Sequence, residues 1–298
     1  MKTVLQTIQS GAPWLEKAGV DQPRLNMEYL LAHVMGCRRM QLYLQFDRPL
    51  EEAVLEPLRD LVRRRAKREP LQHLLGTVEF MGREFKCDAR ALIPRPETEE
   101  LVEKILAFYK KSGTPPPARI VDVGTGSGVI GISLAHAFPQ STAVLADISA
   151  EALSLARENR EKTALPEERA RFVLTDLWND MEGGPFDLVV ANLPYIAAEE
   201  ILALSEEVKR DPVLALDGGR LGTELITRFL RELRPHAAPG ALVALEIGAG
   251  QSPPLLEDMQ AAGLVDCRGV NDYSGRDRFL FAAVPGGEKF SGSGKSEA

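Results

Sequence analysis

The chain has few of the residues that staple or metallate a small domain: three cysteines and four histidines in 298 residues. Cys37, Cys87 and Cys267 are odd in number and far apart, which argues against a disulfide framework and against a Cys-x-x-Cys redox or zinc site. His33, His73, His136 and His236 are equally scattered, with no His-Glu-x-x-His spacing, so no metal is expected. Long apolar runs are missing as well. Polar residues interrupt the start, "MKTVLQTIQSGAPWLEK", before any signal-peptide core can form, so a soluble cytoplasmic chain without membrane contact is expected. Basic residues are in deficit, and unevenly so. Residues 1–75 hold 12 Lys and Arg against 9 Asp and Glu, a balance of +3, and the remaining 24 against 34 leave −10. An acidic body argues against stable binding of long nucleic acid, where phosphate neutralisation dominates affinity.

What is present suits one large core or two smaller ones: 44% of residues are hydrophobic and 27% charged. Residues 1–75 read as a small all-α domain. "PRLNMEYLLAHVMGCRRMQLYLQF" and "LEEAVLEPLRDLVRRRAKRE" space their apolar residues helically between glycine and proline breaks. The basic run from Arg63 to Arg68 is read as a solvated helix face. A β-hairpin linker is expected over 76–97, with Val78–Phe80 and Phe85–Cys87 flanking a glycine turn. A helix from about Thr98 to Lys111 follows. Strands are then predicted at Arg119–Val123, Thr142–Ala146, Ala170–Leu174, Phe186–Ala191, Ala241–Ile247, Val265–Gly269 and Arg278–Ala283. Helices are predicted at Val129–Phe138, Ala150–Glu161, Gly222–Leu233 and Pro254–Ala262. Such alternation over 98–285 implies an α/β sheet covered on both faces. One of the last two strands should run antiparallel, because no full helical crossover separates them. The Gly/Ser/Lys-rich end, 286–298, reads as a flexible tail.

Two stretches carry chemistry. In "IVDVGTGSGVIGISLA", Gly124, Thr125, Gly126, Ser127 and Gly128 lie between the first predicted strand of the sheet and a helix. Glycines there permit a tight turn and close approach of a ligand to a helix N-terminus. The same letters satisfy the dinucleotide fingerprint, with Asp147 as its ribose acid, so a nicotinamide cofactor and S-adenosylmethionine (SAM) both fit this stretch. Asp122 before the glycines favours SAM. Asp176 is either an acid that reaches the adenine amino group, with Leu177 packing beside the ring, or a simple loop aspartate. The second stretch, "VVANLPYIAAEE", ends a predicted strand on Asn192-Leu193-Pro194-Tyr195.

Asn192–Tyr195 resembles the Asn-Pro-Pro-Tyr motif of methyltransferases acting on planar nitrogens. The chain as far as about Ala283 resembles the release-factor glutamine methyltransferases, the HemK/PrmC family. The resemblance rests on "PLQHLLGTVEFMGREF", "LIPRPETEELVE", "VDVGTGSGVIGISLA", "ANLPYI", "DPVLALDGGRLG", "LEIGAGQ" and "NDYSGRDRFLFAA". It implies a seven-stranded, Rossmann-like class I SAM-dependent methyltransferase domain behind a helical substrate-recognition domain. It also implies N5-methylation of the glutamine in the Gly-Gly-Gln motif of peptide-chain release factors; a monomer is expected, although the sequence itself does not fix the oligomer. By the same resemblance, Asn192 and the Leu193 carbonyl accept hydrogen bonds from the substrate amide, Pro194 fixes the backbone and Tyr195 covers the amide face. Gly124–Gly128, Asp147, Asp176, Leu177 and Asn192 meet the cofactor. One departure stands out: the family usually carries proline where this chain has Leu193, and Asn-Leu-Pro-Tyr is the form of ribosomal-RNA adenine dimethyltransferases. An RNA or DNA adenine N6-methyltransferase is therefore the alternative. Since the Leu193 backbone is what the motif uses, the side chain is read as tolerated. Arg95 and Glu97 either line the site or clamp the hairpin, and the clamp is preferred.

Overall fold

The structure is a computed structural model that describes residues 1–286; the predicted tail, from residue 287 on, lies outside the described residues. The chain divides into two compact units. One comprises Met1–Val78 with Ser205–Arg210, the other Glu79–Leu204 with the chain from Asp211 onward.

The first unit is helical: α1 (Val4–Lys17), α2 (Pro23–Val34), α3 (Arg39–Leu42), α4 (Glu52–Ala66) and α5 (Leu71–Leu75). Helix α1 opens on a capping box, in which Gln6 N donates to Thr3 Oγ1 at 3.3 Å and Thr3 N donates to Gln6 Oε1 at 3.0 Å. Val4, Ile8, Leu15, Met27, Leu30, Leu31 and Leu58 close its core. The basic run of α4 departs from the sequence reading at one position. Arg63, Arg64 and Lys67 are exposed, but Arg65 is buried. Its guanidinium donates to Asn26 Oδ1 (2.7 Å), Glu69 O (3.1 Å) and Glu207 Oε1 (2.9 Å). A buried arginine needs such a set of acceptors, and here it ties the Ser205–Arg210 segment to the helices.

The boundary between the units falls within β1 (Thr77–Phe80), which pairs with β2 (Arg83–Lys86). The hairpin turns on Met81 and Gly82, both at positive φ (49° and 69°), as a two-residue turn requires. Helix α6 (Pro96–Ser112) starts two residues earlier than predicted: Pro96 is its first residue, Glu97 and Glu99 face the positive end of its dipole, and Gly113 at φ 70° ends it.

The remaining elements are β3 (Arg119–Val123), α7 (Val129–Ala137), β4 (Thr142–Asp147), α8 (Ala150–Lys162), β5 (Ala170–Leu174), β6 (Phe186–Asn192), α9 (Glu224–Glu232), β7 (Ala237–Glu246), α10 (Ser252–Ala261), β8 (Val265–Asn271) and β9 (Asp277–Ala283). They build one seven-stranded sheet in the order β5-β4-β3-β6-β7-β9-β8. Only β9 runs antiparallel to its neighbours. Strand β7 begins earlier than predicted because Ala237 pairs with Phe186 ahead of an irregularity, after which Leu242 pairs with Leu188.

This strand order places a topological switch between β3 and β6, where open α/β sheets bind ligands beyond the carboxyl ends of their strands. The register then aligns residues far apart in sequence. Val123 pairs with Ala146 on one side and Ala191 on the other, Asp147 with Leu174, and Asn192 with Glu246. One row along the sheet edge thus holds Asp176, Asp147, Gly124, Asn192 and Glu246 at or just past their strand ends.

Candidate active site

Above that row lies a cavity of about 500 Å³, within the usual range for small-molecule sites. Gly124–Ser127, Asp147, Asp176, Leu177, Asn192, Leu193 and Pro194 line it. Of the predicted site residues, Gly128 and Tyr195 are not among the lining.

The glycine loop is held from below. Asp122, fully buried at the end of β3, accepts from Thr125 Oγ1 (2.6 Å) and Gly131 N (2.9 Å) through one carboxylate oxygen. Burial pushes its pKa up to about 6, against those two hydrogen bonds. Its other oxygen is buried without a partner. Gly124, Gly126 and Gly128 all have positive φ (72°, 55° and 83°). At Gly128 the reason for glycine is packing: an added Cβ would meet Ile132 Cδ1 at 2.9 Å and Ala156 Cβ at 3.1 Å. Gly128 therefore closes the loop onto α7 and α8 and does not face the cavity. The hairpin joins the same loop through Asn159, whose Nδ2 donates to Ser127 O (2.9 Å) and Lys86 O (3.1 Å).

Asp147 accepts from Gly126 N (2.8 Å) through one oxygen and from Ser149 N (2.9 Å) through the other. Burial raises its pKa, and the backbone N–H groups oppose the rise. Each carboxylate oxygen keeps acceptor capacity toward the cavity. Asp176 is gripped by Arg228, whose Nη1 lies 3.0 and 2.8 Å from its two oxygens. Leu177, at φ 53°, turns its buried side chain beside them. In the sequence Arg228 is one of several charged residues of α9, and the fold brings its half-buried side chain to Asp176.

The Asn192–Tyr195 segment differs from the sequence reading in two respects. Leu193 is not merely a tolerated side chain. It is 3% exposed, and its Cδ2 would lie 2.8 Å from a Cβ added to Gly124. The side chain fills the angle between the two functional loops, and the absence of a Cβ at Gly124 makes the space. Tyr195, in turn, packs against the core cluster under the sheet, with its hydroxyl 3.5 Å from Glu246 Oε1 and its carbonyl accepting from Gln251 Nε2 at 2.9 Å. Burial, then the Glu246 charge, pushes its pKa up to about 12. Drawn to Glu246, the ring supports the loop from behind. Gly218 presses on the loop from the other side: a Cβ there would come within 2.7 Å of Pro194 O and 2.8 Å of Tyr195 Cα.

Asn192 Nδ2 donates to Thr98 Oγ1 (3.2 Å), and Thr98 Oγ1 donates to Glu246 Oε2 (2.8 Å). Glu246 is 2% exposed, and burial pushes its pKa up to about 7. Thr98 and Glu246 were missed in the sequence. For Glu246 a signal existed, a single acid closing the apolar strand "ALVALE". Arg95 pairs with Asp211: its Nη2 lies 2.7 Å from the buried Asp211 Oδ2, and Asp211 Oδ1 accepts from Ile93 N at 3.3 Å, which anchors the stretch before α6. Among the described residues no His, Cys, Asp and Glu cluster could hold a metal, and no helix is long and apolar enough to cross a membrane.

A glycine loop at the switch point, an acid ending the next strand and a polar residue ending the fourth define a class I SAM-dependent methyltransferase. Solved structures agree on the fold. The hMettl16 catalytic domain, solved in complex with a 3′UTR hairpin, is 17% identical and covers 76% of this chain and 80% of that one, with a TM-score of 0.55. The T. thermophilus 16S rRNA methyltransferase RsmC, solved with AdoMet and guanosine, is 16% identical over 70% of this chain and 49% of that one, with a TM-score of 0.50. The family described as PrmC N-terminal domain matches residues 6–76, and that described as methyltransferase small domain matches residues 106–221. The release factor glutamine methyltransferase of Geobacter sulfurreducens is 37% identical over 94% of this chain and 97% of its own length. That of Deinococcus radiodurans is 37% identical over 92% and 95%. The chain belongs to the release factor glutamine methyltransferase family.

Proposed function

We propose that the chain transfers a methyl group from SAM to the side-chain nitrogen, N5, of a glutamine in a peptide-chain release factor, the glutamine of its Gly-Gly-Gln motif. The observation that carries this reading is the Asn192 carboxamide at the cavity wall. Its NH2 is tied back to Thr98, which leaves its oxygen as an acceptor for a substrate amide.

The donor set suits the cofactor. The Gly124–Ser127 backbone offers a close approach for its amino-acid end, Asp147 retains acceptor capacity for ribose hydroxyls, and Asp176 with Leu177 offers an acceptor and an apolar wall for adenine. Bound there, SAM supplies a sulfonium-borne methyl as the electrophile. A carboxamide nitrogen is a weak nucleophile because its lone pair is delocalised. Asn192 Oδ1 and the Leu193 carbonyl would accept its two hydrogens, fix its orientation and favour pyramidal nitrogen. Pro194 sets the direction of the Leu193 carbonyl, while Tyr195 and Gly218 hold the loop rigid. Positioning of this kind is worth roughly 7–11 kcal/mol in well-oriented reactions.

Incubation with labelled SAM and either a full-length release factor or bare ribosomal RNA tests the proposal. Label is expected on the factor. Label on RNA alone would transfer the site to adenine.

A further inference from the structure

The chain of hydrogen bonds behind Asn192 has a direction. Thr98 Oγ1 carries one proton and gives it to Glu246 Oε2 at 2.8 Å, so toward Asn192 it can act only as an acceptor. A threonine in that state selects the NH2 end of the Asn192 carboxamide, 3.2 Å away, and turns the oxygen toward the cavity. We propose that Thr98 and Glu246 are positioning residues that set which end of the Asn192 amide meets the substrate. The proposal rests on the reading of Asn192 as the acceptor for the substrate amide.

The alternative arrangement has the same heavy-atom geometry and the opposite outcome. A protonated Glu246 can donate to Thr98, Thr98 then turns its proton to Asn192, and the amide presents NH2 to the cavity. Two NH2 groups then face each other and the substrate nitrogen loses its acceptor. The groups facing Glu246 are Thr98 and Glu97 from α6, Asn192 and Tyr195 from β6 and its loop, and Arg278 from β9. Burial disfavours the carboxylate most and Glu97 adds to this, while the hydrogen bonds of Thr98 and Asn192 and the charge of Arg278 favour it, and the balance brings its titration to about 7. Turnover should accordingly be lost as pH falls through about 7, with cofactor binding retained.

The test uses the full-length chain, SAM and a full-length release factor. Thr98→Val keeps the shape and removes the acceptor, and roughly a tenfold loss of kcat is expected at unchanged cofactor Kd. Thr98→Ser should recover most of it. At saturating substrates, kcat of the wild type should fall below pH 7, whereas Glu246→Gln, which cannot titrate, should show a flat profile. Wild-type kcat in Thr98→Val, equal losses in Val and Ser variants, or the same pH profile in Glu246→Gln would each overturn the proposal. Asn192→Ala serves as the control. Wild-type turnover there would remove the underlying reading of the motif, whereas an inactive Asn192→Ala beside an unimpaired Thr98→Val would remove the relay alone.

Discussion

The contact between Leu193 and Gly124 joins the Asn192–Tyr195 segment to the glycine loop, and its energy can be separated into parts. An alanine at 124 meets two costs. Its φ of 72° is left-handed, worth about 1–2 kcal/mol for a residue with a Cβ, and its Cβ would sit 2.8 Å from Leu193 Cδ2, an overpacking worth about 1–3 kcal/mol. Leu193→Ala alone removes a side chain that is 3% exposed, for roughly 2–5 kcal/mol. In the double variant the steric part vanishes and the backbone part stays. The pair should therefore be less destabilised than the sum of the singles by about 1–3 kcal/mol. Urea unfolding followed by Trp178 fluorescence measures this, because Trp178 is buried in the sheet unit, stacked on Phe229 and His236. Trp14, the other tryptophan, belongs to the helical unit. Additivity within about 0.5 kcal/mol would refute the contact.

Three further outcomes follow from the site. Asp147→Ala removes the acceptor at the end of β4 and should weaken SAM binding roughly 10–100-fold by calorimetry, with kcat at saturation changed far less. Unchanged affinity would misplace the ribose end. Arg228→Met frees the Asp176 carboxylate from the Nη1 that bridges its two oxygens, and a several-fold change in SAM affinity without loss of the transferred product is expected; an effect on kcat alone would contradict a cofactor role for Asp176. Glu246 bears on stability as well as on turnover. Its folded pKa, about 7, lies above the ordinary 4.5, so the folded state holds the proton more tightly and stability is lost as pH rises through that window. Glu246→Gln should therefore melt higher relative to wild type at pH 8 than at pH 5, and a constant difference would show that the carboxyl is not perturbed.

The parts of the site legible in the sequence are those whose meaning is local. Gly124 and Gly126 follow an apolar strand and precede a helix, Asp147 ends the next strand, and Asn192-Leu193-Pro194-Tyr195 ends the fourth. Residues whose meaning depends on strand register were not legible. Thr98 and Glu246 are 148 positions apart and meet only because α6 crosses the end of β7. The charge run of α4 misled for the same reason, since the Arg65 partner Glu207 is 142 positions away. Leu193 was read through its backbone alone because nothing near it in sequence reveals that its side chain rests on Gly124. Tyr195 was assigned to the cavity by its motif, and the fold gives its hydroxyl a partner behind the loop.

The central claim is that Asn192 presents an acceptor to a glutamine amide. The direct test is tandem mass spectrometry of a release factor incubated with SAM and either the wild type or Asn192→Ala, with cofactor binding measured for both. A single methyl on the side-chain nitrogen of the Gly-Gly-Gln glutamine is expected with the wild type, and none with Asn192→Ala at near-normal SAM affinity. Methylation at another residue, or equal methylation by the two proteins, would contradict the account.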